Sequence, residues 1–411
     1  MSRQLNNKLW RDLGGMKVQV LAIALVMAAG IATFVMSFGV VKSLEETRRN
    51  YYDDYRFGEV FVGVKRAPET LASQIEAIPG VTRVMTRVVL GATLSIDGLE
   101  EPATGLLVSI PEGEQPALNA IHLRSGRLVE PYRENEVIIA DSFADANGLT
   151  EGDTIRAIIS GRKRVLEVVG IGLSPEFIYS MAPGAVMPDN ARFGAMWMGR
   201  KALEAAHDLD GAFNDVVIEV AMGANVEEII RQVDQLTRPF GGLGAYSRED
   251  HVSDMFIRNE LDQLKAMAFV IPIIFLAIAG FILHMVLSRL VQLEREQIGI
   301  LKALGFTGQE IGLYYIKLAT LIGAIGLVIG VTIGLWFGQW MAELYVEFFR
   351  FPSLTFTLST SIFAIATLIS MGGSVLGPGA RSVRLQHSPL PRPCGQSRPS
   401  NSSRCSSNGW G

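Results

Sequence analysis

Cysteine is scarce in this 411-residue chain: there are two, Cys394 and Cys405, both near the C-terminus. No disulfide can therefore staple the long middle of the chain, and any domain there must be held by its own core, which more than 200 residues can supply. A basic excess is also missing. With 37 Lys and Arg against 41 Asp and Glu, the net charge is -4, which excludes the electrostatic footprint of a nucleic-acid binder. Patterns for chemistry are missing too. GxxxxGK[ST], HExxH, GxSxG and CxxC do not occur, and the GxG at Gly170 and Gly172 leads to Pro175 instead of a third glycine. The five histidines, at 122, 207, 251, 284 and 387, lack ligand spacing. These absences predict a protein that is not an enzyme and holds no metal or cofactor.

What the chain has is apolar sequence in long runs: 49% of its residues are hydrophobic and the mean hydropathy is +0.28. Four runs are predicted to span a membrane, at 18–41, 267–291, 318–338 and 357–377, since a span needs roughly 20 apolar residues. The first exceeds the core of a signal peptide and has no clear small-x-small cut site, so it reads as an uncleaved anchor. The fourth is diluted by Ser, Thr and Gly. His284 lies within the second run, where an ionisable residue is either a functional candidate or a neutral side chain packed between helices.

Basic residues set the expected orientation. Arg3, Lys8, Arg11 and Lys17 precede the first run, and Arg289, Arg295, Lys302 and Lys317 flank the segment after the second. By the positive-inside rule, residues 1–17 and 292–317 are cytoplasmic, and 42–266 and the loop 339–356 are outside. Trp336, Trp340, Tyr345, Phe348, Phe349 and Phe351 are expected to form an aromatic belt at the outer interface.

Within 42–266, 58–66 and 80–98 read as strand patterns, the second with a turn, 67–78 reads as a helix, 135–159 reads as strand, helix, Gly-terminated turn and strand, and 162–173 and 214–238 continue the mixture, predicting an α+β domain. Its flanks, 42–56 and 247–267, read as polar helices that extend the first two spans into a two-helix stalk. Pro272 is expected to bend the second span. In the third, Gly326, Gly330, Gly334 and Gly338 recur at every fourth position and share one face, either for compaction within the bundle or as a dimer seam.

The stretch "LEREQIGILKALGFTGQEIG", residues 293–312, lies between the second and third runs. Ile298, Leu301 and Leu304 fall on one helical face, Gly305 can end that helix, and Thr307 with Glu310 has the spacing of a capping box that opens the next. The pattern predicts a short amphipathic helix on the membrane surface, either an ordinary connector or a docking element.

That stretch resembles the "R-x-x-E-I-G-I-L-R-A-L-G" signature of FtsX-like ABC-transporter permeases, the superfamily of lipoprotein-release and MacB-type export systems, with Gln297 where the family often has Glu. "IPGVTRV", "LRSGRLVEPYRENEVIIADSFADANGLTEGDTI" and "VVGI" resemble the MacB-type periplasmic core domain, in the family's order. The resemblance covers roughly 1–377. It implies a four-helix transmembrane bundle in the bacterial plasma (inner) membrane, with an extracytoplasmic α+β domain between the first two spans. It also implies a separate cytoplasmic ABC ATPase as partner, a permease dimer, a periplasmic partner, and export or release of an envelope substrate. Glu294, Arg295, Ile298, Gly299, Ile300, Leu301, Leu304 and Gly305 would then be the ATPase-coupling residues, with Ile298, Ile300, Leu301 and Leu304 its apolar part. Two rivals are a membrane-anchored sensor and a regulator of cell-wall hydrolases.

From about Gly372 the chain departs from that pattern. Ser, Pro, Gly and Arg dominate to residue 411, and no Asp or Glu follows Glu347. This composition predicts a low-complexity tail at 378–411, produced either by a frameshift or truncation near 372–380 or as a genuine disordered tail.

Overall fold

The computed structural model describes residues 3–368 apart from 183, 186, 355 and 357–359. In chain order its elements are α1 (Arg3–Gly15), α2 (Lys17–Asp54), β1 (Val60–Pro68), α3 (Thr70–Glu76), β2 (Val81–Arg87), β3 (Val89–Ser95), β4 (Ala103–Ile110), β5 (His122–Gly126) and β6 (Glu136–Ala140). There follow α4 (Asp141–Asn147), β7 (Thr154–Ile159), β8 (Arg162–Leu173), β9 (Phe193–Gly199), α5 (Arg200–Ala206), β10 (Ala212–Val220), α6 (Val226–Thr237) and β11 (Ala245–Ser247). The last are α7 (Val252–Leu293), α8 (Arg295–Ala303) and α9 (Gly308–Phe349). Two compact units share the described residues: those of 3–31, 273–330 and 365–368 form one, and those of 32–272 with 331–364 the other.

The larger unit carries two sheets. One has the order β11-β1-β10-β2, antiparallel throughout. Side chains alternate across it, as the two-residue period of a strand dictates. Val60, Val62, Val216 and Ile218 face Leu71 of α3 and Ile229 and Val233 of α6, while Phe61 and Val217 join a cluster with Leu44, Tyr51, Tyr52, Ile257 and Leu261. The other sheet has the order β5-β8-β6-β9-β4-β3-β7, and β7 also pairs with β8. Six strands therefore close on themselves, with β5 added to β8, and a barrel so closed hides its edges. Val137, Ile139, Leu107, Met196 and Trp197 belong to its buried core.

The smaller unit is helical. Leu9 and Leu13 of α1, Ile23, Ala24 and Met27 of α2, Leu283 of α7, Ile298 of α8, and Tyr314, Leu318 and Ile322 of α9 bury one cluster.

Among the described residues, three helices, α2, α7 and α9, are long and apolar enough to cross a membrane. The predicted fourth run at 357–377 falls mostly outside the described residues, of which 360–368 are helical, and the tail at 378–411 lies wholly outside them. Several expectations are corrected. The expected loop 339–356 is helical to Phe349, because no Gly or Pro interrupts the sequence until Pro352. Residues 245–247 pair with β1 as an edge strand, so the helix expected from 247 starts at Val252. The aromatic belt divides: Trp336, Trp340 and Phe348 are exposed, whereas Phe349 and Phe351 are buried among Tyr51, Tyr52 and Ile257, with Tyr345 packed alongside. Pro272 lies inside the continuous helix α7, which leaves the expected bend untested.

The glycine row of α9 lies against neighbouring backbone within each unit. In the smaller unit, a Cβ on Gly326 would stand 3.0 Å from Met27 Cβ, and one on Gly330 2.8 Å from the Ala28 carbonyl oxygen. In the larger, a Cβ on Gly334 would stand 2.8 Å from the Ala32 carbonyl oxygen, and one on Gly338 2.4 Å from Phe356. These contacts are the close helix approach expected of compaction within the chain.

Candidate functional site at the α8 connector

Local chemistry builds the connector. Gly305 adopts φ +94°, a left-handed conformation that glycine takes without a Cβ penalty, just past the end of α8. Two residues on, the Thr307 backbone N–H donates to Glu310 Oε2 at 3.0 Å, and the Glu310 N–H donates to Thr307 Oγ1 at 3.3 Å. This reciprocal pair satisfies donors at the start of α9 that no helical carbonyl can reach. A full stop and a capped restart thus leave α8 as a separate nine-residue helix.

Its side chains divide sharply between two directions. Ile298 is buried and Leu301 packs against the same helical cluster. Ile300 is 60% exposed and Leu304 72%, with Leu293 just ahead of the helix at 74%. Arg295, Glu296 and Gln297 are exposed, Gly299 is half-buried, and Gly305 is exposed. The sequence put Leu304 on the face of Ile298 and Leu301. It leaves that face because it lies beyond the last helical residue, at φ -83°, ψ 6°.

Glu294, expected at the contact, is only 14% exposed and is occupied internally. Lys8 Nζ donates to Glu294 Oε1 and Oε2 at 3.0 Å each and to Asp12 Oδ2 at 2.6 Å. Tyr315 Oη donates to Glu294 Oε2 at 3.1 Å, and Tyr314 Oη donates to Asp12. One ammonium and two phenols thus satisfy two carboxylates, and the arrangement ties α1 and α9 to the residue from which α8 departs. Sequence reasoning missed both this cluster and α1. The available signal was Leu9 and Leu13 four apart, a single apolar stripe in an otherwise polar segment.

A second charged cluster sits in the larger unit. Arg87, at the end of β2, donates from Nη1 and Nη2 to the two oxygens of Glu176 at 2.6 and 2.8 Å, and from Nε to Asp215 Oδ1 at 2.7 Å. Asn119 Nδ2 also donates to Glu176 at 2.8 Å. Burial works to raise the Glu176 carboxyl, but the Arg87 charge and hydrogen bonds outweigh it and hold the group below its ordinary value. Burial pushes the Asp215 carboxyl up even so, because one guanidinium serves two anions. Nearby, burial pushes the His251 imidazole down. His284 of α7 is half-buried.

Two protein-family models match the chain. The MacB-like periplasmic core domain matches residues 20–236, more than half of it, and the FtsX-like permease C-terminal domain matches 269–385. The chain belongs to the FtsX/MacB-like ABC transporter permeases. An uncharacterized ABC transporter permease of Mycoplasma genitalium is 23% identical over 235 residues, which are 51% of this chain and 17% of the relative. This permease therefore spans about a sixth of that relative's length. Among solved structures, the extracellular domain of the noncanonic ABC-type transporter YknZ from Gram-positive bacteria is 14% identical, covering 46% of this chain and 98% of its own, with a TM-score of 0.31. The periplasmic region of MacB from Actinobacillus actinomycetemcomitans is 9% identical, covering 50% and 92%, with a TM-score of 0.32.

Proposed function

We propose that this permease is the membrane subunit of an ATP-driven export or release system, and that a separate cytoplasmic ABC ATPase docks on the exposed side of α8. The observation that carries this reading is the split of α8. Ile300 on a short helix and Leu304 just past its end stand exposed between two helices of membrane length, while Ile298 and Leu301 anchor the same helix to its unit. Apolar side chains held at the surface on a supported helix are what a partner groove can grip. Arg295, Gly299 and Gly305 border that contact. Glu294 sets it in place through Lys8 and does not touch the partner.

In this reading the N-terminus and residues 292–317 are cytoplasmic, as their basic residues favour, and the domain between α2 and α7 is outside a bacterial plasma membrane. Two copies form the working permease, and ATP-driven movement at α8 passes along α7 and α2 to the outer domain, which acts on an envelope substrate with an external partner. Transmission of force, without a polar solute pathway, fits the apolar character of the spans.

The test is purification of the tagged full-length chain in detergent from its native host. The reading expects an ABC ATPase with ATP hydrolysis in the eluate. An intact, membrane-inserted chain that recovers none contradicts it.

A further inference from the structure

The coupling reading gives motion two routes into the outer domain, α2 and α7. The larger unit contains a third attachment, at the end of α9. Arg350 follows α9 directly, and its Nη1 lies 2.6 Å from Asp145 Oδ2 and 3.1 Å from Asp141 Oδ2, both on α4 of the domain. Arg124 of β5 pairs with the same two carboxylates, at 3.1 Å to Asp145 and in direct contact with Asp141. Two guanidinium groups thus balance two carboxylates. Asp141 is 8% exposed, so its charge depends on them, water being largely excluded.

The backbone around Arg350 is built to hold this position. Arg350 has φ +45°, a left-handed conformation that is uncommon outside glycine and persists where the surroundings over-determine it. Its neighbours Phe349 and Phe351 are 2% and 3% exposed, in one cluster with Tyr51, Tyr52, Ile257 and Leu261. One turn earlier, Tyr345 Oη donates to Glu260 Oε1 at 2.5 Å. A surface ion pair between mobile side chains contributes little. This one is flanked by buried aromatics and ends a long helix.

We propose that Arg350 is a positioning residue, a clamp that makes the end of α9 move with the inserted domain instead of sliding past it. Its role in a transport cycle rests on the coupling reading, but the clamp itself can be measured without the ATPase.

The experiment uses the full-length chain in lipid nanodiscs with Cys394 and Cys405 changed to Ser and spin labels at 100 and 347. Both positions carry exposed glutamates, the first in the domain and the second on α9. Pulsed electron resonance is expected to give one narrow distance distribution for the parent. Arg350→Ala should lose it to a broad one, and Arg350→Lys, which keeps the charge, should recover it in part. Asp145→Ala is the milder variant, removing the half-exposed partner, and should broaden the distribution if Arg350→Ala does not fold. A parent-like narrow distribution in the alanine variants overturns the clamp. Where an ATPase copurifies, Arg350→Ala should retain it because α8 is untouched. If the parent itself recovers none, the coupling reading falls while the distance measurement still decides the clamp.

Discussion

Lys8 in the helical unit and Arg87 in the sheet unit each lie between two carboxylates. Arg87 is 4% exposed and its planar fork engages three oxygens with fixed directions, so its position is bound to those of β2, β10 and the segment after β8. Lys8 is 14% exposed and offers a rotatable point charge, shared with two tyrosine hydroxyls. The first arrangement admits one geometry; the second can keep its hydrogen bonds as helices shift by small amounts. The proposed coupling would use both: a fixture suits a domain that moves as a body, and an adjustable joint suits a connector helix that a partner pushes.

The comparison can be broken most severely at the fixture. Arg87→Met leaves the buried Glu176 without its partner, and breaking such a pair costs about 3–5 kcal/mol. The expected result is a sharply lowered unfolding temperature or loss of folded full-length protein; an unchanged midpoint would make Arg87 dispensable. Next is Gly330→Leu, which forces a side chain into the space 2.8 Å from the Ala28 carbonyl oxygen. Overpacking costs about 1–3 kcal/mol, read as a lower thermal midpoint in detergent. Lys8→Met should be milder. It removes one partner of two carboxylates that retain tyrosine donors and some water, costing about 1–2 kcal/mol and loosening α1, which hydrogen exchange of residues 8–15 would detect.

The smallest effect expected is on pH dependence. Because the folded Glu176 value is depressed, its contribution is present above the ordinary value of 4.5 and is lost as pH falls through the depressed value. His251 acts in the same direction at higher pH. Its folded value is below the ordinary 6.5, so its contribution is present above that value and lost as pH falls through the lowered one. Asp215 acts in the opposite direction, because its folded value is raised and its contribution grows as pH falls through that value. With Asp215→Asn removing that opposition, stability should decline on acidification, measured as the unfolding midpoint from pH 7 to 4, and adding Glu176→Gln should flatten the lower part of the slope; a midpoint of Asp215→Asn that rose with acid would contradict both signs.

The elements of the inserted domain were legible where the signal is local. The alternation at 58–66 marked β1, and outside that domain Gly305 with Thr307 and Glu310 marked the stop and restart around α8. The barrel closure was not legible, because it depends on β8 pairing with both β6 and β7. The polar joint was hidden for a similar reason: Lys8 and Glu294 are 286 positions apart. Helical periodicity grouped Leu304 with Ile298, and the chain's exit from the helix at that residue set them apart. The sequence also suggested Glu294 as a contact residue by its place in the motif, whereas the structure occupies that carboxylate internally.

The central claim is that α8 grips its partner with the residues it exposes, not with those it buries. The most direct measurement is ATPase recovery with the tagged full-length chain for Ile300→Asp and Leu304→Asp, beside the unfolding midpoint of each variant. The account predicts midpoints close to the parent's, a stability change within about 0.5 kcal/mol as for exposed substitutions, and loss of the ATPase. Full ATPase recovery by both stable variants would contradict it.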